Sequence, residues 1–164
     1  MGMIFLSTYE NKIDRKGRVS VPATFRATLE VNSQPLIITK SLTSACLEGQ
    51  GSARIQQIVD VLDTMDALAE ETRTLQALLS NAQEMKLDAE GRIMLPEEFL
   101  AYADLNETII FAGVGRLFEM WNPSSWRERE AAQRETIRTT GLPKLVLKPG
   151  AAPPGKPEPD KEGS

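Results

Sequence analysis

Ile13-Asp14-Arg15-Lys16-Gly17-Arg18-Val19-Ser20-Val21-Pro22 returns 74 positions later as Leu87-Asp88-Ala89-Glu90-Gly91-Arg92-Ile93-Met94-Leu95-Pro96. Both stretches read apolar-Asp-x-x-Gly-Arg-apolar-x-apolar-Pro. The register holds past the proline, where Phe25 matches Phe99 and Leu29 matches Ala103. A repeat of this kind sets the architecture before any single element is assigned. In Asp-x-x-Gly, Asp bonds the backbone ahead of it and Gly takes the positive φ of a tight turn. Arg-apolar-x-apolar then reads as a short strand with one buried face. The proline is expected at the first position of a helix, where its missing N–H does no harm. That helix buries Phe25 and Leu29 in one copy, Phe99 and Ala103 in the other, spaced i to i+4 on one face.

Outward from the motif, each copy supplies a further strand pair. Leu36-Ile37-Ile38-Thr39 leads to Cys46-Leu47, which Gly49-Gln50-Gly51 is expected to end early. Thr108 to Ala112 turns at Gly113-Val114-Gly115 into Leu117 to Trp121, a hairpin with glycines at its turn. Between the copies, Ile55, Ile58, Val59, Leu62, Met65 and Leu68 recur at helical spacing from about Ser52. A second helix carrying Leu75, Leu78 and Leu79 follows a break near Glu70-Glu71. A last helix begins after Asn122-Pro123, with Trp126 turned inward. The expected divisions are module 1 at 6–51, a helical connector at 52–81, module 2 at 82–125 and a C-terminal helix at 126–142. The segment 143–164, rich in Pro, Gly, Lys and Glu, is expected to be disordered.

Composition narrows the function. The 164 residues are 41% hydrophobic and 5% aromatic, enough for an interior packed mainly with aliphatic side chains. No apolar run reaches the roughly 20 residues of a membrane span, and no signal peptide is legible at Met1–Tyr9, so a cytoplasmic place is expected. The single cysteine, Cys46, reads as a small buried hydrophobe. Histidine is absent, which removes the usual general base and metal ligand. Neither catalytic residues nor a metal or other cofactor are expected.

The duplicated turn, the proline-led helix, Phe118-Glu119-Met120-Trp121 and the opening Phe5-Leu6-Ser7-Thr8-Tyr9-Glu10 together resemble the MraZ family, over about residues 4–129. These are bacterial transcriptional regulators with two SpoVT-AbrB-type modules in one chain. The resemblance implies an α+β fold in which the tandem AbrB-like repeats form a pseudo-twofold double-split β-barrel flanked by helices. It also implies a ring-shaped homo-oligomer that binds repeated promoter boxes in double-stranded DNA, upstream of the division and cell-wall operon holding its own gene. Nucleoid association follows, with no small-molecule substrate. Two departures stand out. Glu48-Gly49-Gln50-Gly51 replaces the apolar strand ending in Tyr-Pro that closes the family's first hairpin, and the second turn holds Ala89-Glu90 in place of a basic residue.

Charge chooses between the modules. From Met1 to Glu30, Lys12, Arg15, Lys16, Arg18 and Arg26 outnumber Glu10, Asp14 and Glu30, for a net charge of about +2. From Leu87 to Trp126, Arg92 and Arg116 face seven acids, for about −5. The first turn is therefore expected to hold DNA through Arg15, Lys16 and Arg18, with Lys12 at the backbone. Arg15 or Arg18 suits guanine O6 and N7. Arg92 is the secondary candidate, while Asp14, Gly17, Asp88 and Gly91 structure the turns. Two other readings remain: an AbrB-like antitoxin or other protein-partner module using the tail, and an enzyme using Asp88/Glu90 or Glu97/Glu98 for acid–base work or Mg²⁺.

Overall fold

The computed structural model describes residues 3–145. Most of the proline-rich segment therefore lies outside the described residues, and 143–145 carry no regular element. The chain is mixed α+β. The first copy gives β1 (Thr8–Lys12), β2 (Arg18–Ser20), α1 (Ala23–Val31), β3 (Leu36–Lys40) and β4 (Leu47–Gly51). The connector gives α2 (Ser52–Leu62) and α3 (Glu70–Asn81). The second copy gives β5 (Gln83–Met85), β6 (Arg92–Met94), α4 (Glu97–Tyr102), β7 (Thr108–Gly113) and β8 (Phe118–Trp121), and α5 (Pro123–Thr140) follows. One compact unit ends at Glu130; in the second, residues 131–145 are exposed throughout.

The two copies are interleaved. Six antiparallel strands run in the order β1-β7-β8-β4-β3-β5, and β2 pairs separately with β6. Exchanging equivalent strands of the two copies reads that order backwards. Each copy's first strand pairs with the other copy's hairpin: Tyr9 lies opposite Phe111, and Glu84 opposite Ile37. Where the copies meet, equivalent positions face one another, Glu48 opposite Glu119 and Val19 opposite Ile93. A pseudo-twofold axis therefore relates the modules and passes through both pairs.

Strand alternation sorts the side chains. Val19, Val21, Ile93 and Leu95 turn into one core with Phe25, Leu29, Phe99 and Ala103, as the repeat predicts. Phe25 stacks on Phe118 with centroids 4.8 Å apart, and Phe5 meets both rings edge-on at 5.5 and 5.3 Å. On the sheet's other face Cys46, Ile110 and Trp121 form a smaller cluster against Trp126. α2 packs on β4 and α3 on β3.

Four boundaries differ from the sequence reading. Gly49-Gln50-Gly51 does not end the first hairpin; it is the body of β4. Gly49 is needed there because a Cβ would stand 2.2 Å from the Phe118 ring. Pro22 and Pro96 occupy the N-cap, with extended ψ of 136° and 148°, one position before the helix proper. The connector's first helix stops at Leu62, so Met65 and Leu68 lie in the link and Glu70-Glu71 open the next helix. α5 begins at Pro123, because Asn122 Oδ1 accepts from the amides of Ser124 and Ser125 at 2.8 and 3.2 Å.

Candidate nucleic-acid interface

Both turns close in the same way. Asp14 Oδ1 accepts from the backbone N–H groups of Lys16 and Arg18, each at 2.9 Å, and Asp14 Oδ2 accepts from Arg18 Nε at 2.6 Å. Asp88 repeats the pattern with the amides of Glu90 and Arg92 at 2.9 Å and Arg92 Nε at 3.0 Å. Gly17 and Gly91 take φ of +83° and +75°. So the repeated Asp both shapes its turn and holds its Arg, four residues apart. These bonds to the ionised form hold Asp14 and Asp88 below the usual carboxylate range, the Arg18 and Arg92 backbone N–H groups acting most strongly.

The turns are fastened to each other. Val21 N donates to Gly91 O at 3.0 Å, and Leu95 N donates to Gly17 O at 3.0 Å. Between them runs the β2–β6 ribbon. Its inner face is Val19, Val21, Ile93 and Leu95; its outer face carries Arg18, Ser20, Arg92 and Met94. Both Arg side chains are about 30% exposed, with Nε held by the Asp of its own turn.

The surroundings of the two turns differ. Arg15 and Lys16 are exposed and show no side-chain hydrogen bond or ion pair among the described residues, while Lys12 and Arg15 line a shallow depression with Asp14, Asn106, Glu107 and Thr108. Arg92 is enclosed by acid. It pairs with Glu90 at 3.2 Å as well as with Asp88, and it feels Asp14 across the ribbon. Its proton is held more firmly than usual, chiefly by the Asp88 hydrogen bond. Of the carboxylates weighed for catalysis, Asp88 and Glu90 pair with Arg92 and Glu98 pairs with Lys40. Among the described residues no three His, Cys, Asp or Glu side chains are grouped to hold a metal, and no helix is long and apolar enough to cross a membrane.

The ribbon brings together every site residue read from the sequence except Lys12, which sits at the end of β1 beside the first turn. It also adds Ser20 and Met94. Met94 is 58% exposed, an unusual fate for a long apolar side chain in a short strand. The alternation of the motif placed both outward, but apolar-x-apolar gave no reason to single out the middle residue.

An interleaved, duplicated α+β chain that joins two Asp-x-x-Gly-Arg turns through a shared ribbon defines a class of paired-module proteins. The chain matches twice, over residues 4–77 and 78–141, the family described as "MraZ protein, putative antitoxin-like". It belongs to the MraZ family. Its relatives named transcriptional regulator MraZ include one from Rhodospirillum rubrum, 41% identical over 127 residues, covering 74% of this chain and 81% of the relative. Another, from Gluconobacter oxydans, is 37% identical over 155 residues, covering 92% and 93%. A third, from Gluconacetobacter diazotrophicus, is 33% identical over 154 residues, covering 91% and 98%. These are the names of regulators and not of enzymes.

Proposed function

We propose that this chain is a transcription regulator that binds double-stranded DNA in a sequence-specific way, at repeated boxes upstream of the division and cell-wall operon containing its own gene. The observation that carries this reading is the β2–β6 ribbon, which turns Arg18, Ser20, Arg92 and Met94 outward between two rigid turns. A two-stranded ribbon fits the roughly 12 Å major groove of B-form DNA, where side chains read base edges. Arg15 and Lys16, unpaired and exposed, supply phosphate contacts with Lys12; Arg18 presents its guanidinium end to a base while Asp14 fixes its Nε. Arg92, held by Asp88 and Glu90, contributes less, and the first turn dominates.

A net-acidic chain with one basic turn makes few phosphate contacts. Assembly into a ring multiplies that turn along spaced boxes, so that weak contacts add as avidity. The pseudo-twofold axis shared by the ribbon and the six-stranded sheet supports a closed double-split barrel of the AbrB type as the underlying architecture. Cytoplasmic, nucleoid-associated placement follows from such a role.

The test is an electrophoretic mobility shift on the DNA upstream of the operon, across a salt series. Arg15→Ala/Lys16→Ala and Arg18→Ala should abolish the shift at salt where wild type binds fully, with Arg92→Ala retaining it. Equal loss in all three would put both turns on DNA. No shift by wild type at low salt would favour a protein partner instead.

A further inference from the structure

A second basic feature lies at the far end of β7. That strand begins at Thr108, beside Lys12, and ends at Gly113, where the hairpin loop carries Arg116. Arg116 and Arg54, from the first turn of α2, line one cavity of about 250 Å³ with Met3, Ala53 and Gln57. The hydrogen-bond partners of both guanidiniums are neutral. Arg116 Nη1 donates to Met3 O at 3.1 Å, and Arg54 Nη1 donates to Gln57 Oε1 at a long 3.4 Å. Arg54 Nε is buried and has no partner. A buried donor left unsatisfied is costly, and more so on a charged group.

Among the described residues neither guanidinium forms an ion pair. The half-buried Glu48 carboxyl feels Arg54, which favours its ionised form, without reaching salt-bridge distance. The start of α2 adds to the positive field, with Gln34 Oε1 accepting from Ser52 Oγ and Ala53 N at 2.7 Å. The pseudo-twofold axis offers an internal control. Arg54 lies six residues after Glu48, and its counterpart six after Glu119 is Ser125; Arg116 lies three before Glu119, and its counterpart is Ala45. The scaffold folds the second time with neither arginine, so the pair is not a requirement of the fold.

We propose that this cavity binds a single oxyanionic group, a phosphate or a carboxylate, between Arg54 and Arg116. Two sources carry that chemistry: a small anion from solution, and an acidic side chain of a second copy of this chain, whose second module is rich in exposed carboxylates. The site is independent of the DNA reading.

Wild type, Arg54→Gln, Arg116→Gln and, as a control, Arg127→Gln are titrated with inorganic phosphate at constant ionic strength, by calorimetry and thermal shift. Sedimentation velocity is run in parallel. If the anion comes from solution, wild type and Arg127→Gln bind phosphate saturably. Each cavity variant then binds it roughly tenfold more weakly, as expected for losing a charge-assisted hydrogen bond. If the group comes from a second copy, the cavity variants sediment as smaller species than wild type and Arg127→Gln, and phosphate disperses the wild-type assembly. Wild type that neither binds phosphate saturably nor is dispersed by it, with cavity variants assembling normally, overturns the proposal. The wild-type titration needs no variant to fold.

Discussion

Arg26 of the first copy lays its guanidinium over Gly91 of the second: a Cβ on Gly91 would stand 2.4 Å from Arg26 Cζ, while Arg26 Nε donates to Val21 O at 3.0 Å. At the equivalent place on the first turn, a Cβ on Gly17 would stand 3.1 Å from the backbone oxygen of Leu95 and 3.5 Å from Leu100 Cδ1, with no guanidinium over it. The two turns are alike in backbone and unlike in what covers them.

Gly17→Ala and Gly91→Ala should therefore differ. Both force a side chain into positive φ, at about 1–2 kcal/mol. Gly91→Ala must also displace Arg26 from Val21 O, a hydrogen bond worth about 1 kcal/mol. In urea denaturation Gly91→Ala is expected to lose more stability, and Arg26→Ala should remove the excess in a double-mutant cycle. An equal loss in the two glycine variants would show that Arg26 moves aside freely.

Asp14 and Asp88 predict an acid-sensitive ribbon. Both have folded pKa values below the ordinary 3.8, so they favour the folded chain above that pH, and this contribution is lost as pH falls through the folded values. Asp14→Asn/Asp88→Asn should lower stability at pH 7 and flatten its decline below about pH 4. Unchanged steepness in acid-unfolding curves would place the proton uptake elsewhere.

Cys46 should be silent in the folded protein. It is fully buried, and its thiol is pushed up to about 12, first by burial and then by Glu119. Since the thiolate is the reactive form, a disulfide reagent at pH 8 should label the native chain at the rate of unfolding and label it promptly in denaturant.

Gly49→Ala should destabilise by about 1–3 kcal/mol through overpacking against Phe118, and Phe118→Leu should relieve part of that loss. Thermal unfolding of the single and double variants measures this. An additive double variant would mean that β4 shifts as a whole.

On the DNA reading, Arg15→Ala and Lys16→Ala should each reduce the slope of log K against log salt by about one, uniformly across sequences. Met94→Ser should leave that slope unchanged and alter discrimination between boxes. Its exposed thioether arm can meet a thymine methyl but no phosphate. Unchanged discrimination between boxes with Met94→Ser would remove it from any role in base reading.

Much of this molecule was legible because the repeat is. Asp14, Gly17, Arg18 and Pro22 return as Asp88, Gly91, Arg92 and Pro96, and each residue type has one dominant local use. The helix faces of Phe25/Leu29 and Phe99/Ala103 follow from spacing alone. What stayed hidden depends on contacts far apart in the chain. Gly49 looks like a breaker until Phe118, in the other copy, is seen against it. Gln34 caps a helix that begins 18 residues later at Ser52. Arg26 counted toward the first module's charge, yet its guanidinium rests on the second module's turn. Arg54 stood in an amphipathic helix with nothing in its spacing to separate it from a solvated cation.

The reversible strand order has a consequence for how such a chain can change. Two separate copies exchanging their first strands would form a homodimer with identical turns, and every mutation would strike both. Tethered by α2 and α3, the halves meet at an effective concentration in the millimolar range, whatever the abundance of the protein. They are also free to diverge. One turn carries Arg15-Lys16 where the other carries Ala89-Glu90, and one hairpin has an arginine that its twin lacks. A single gene thus holds two specialised partners that never have to find each other.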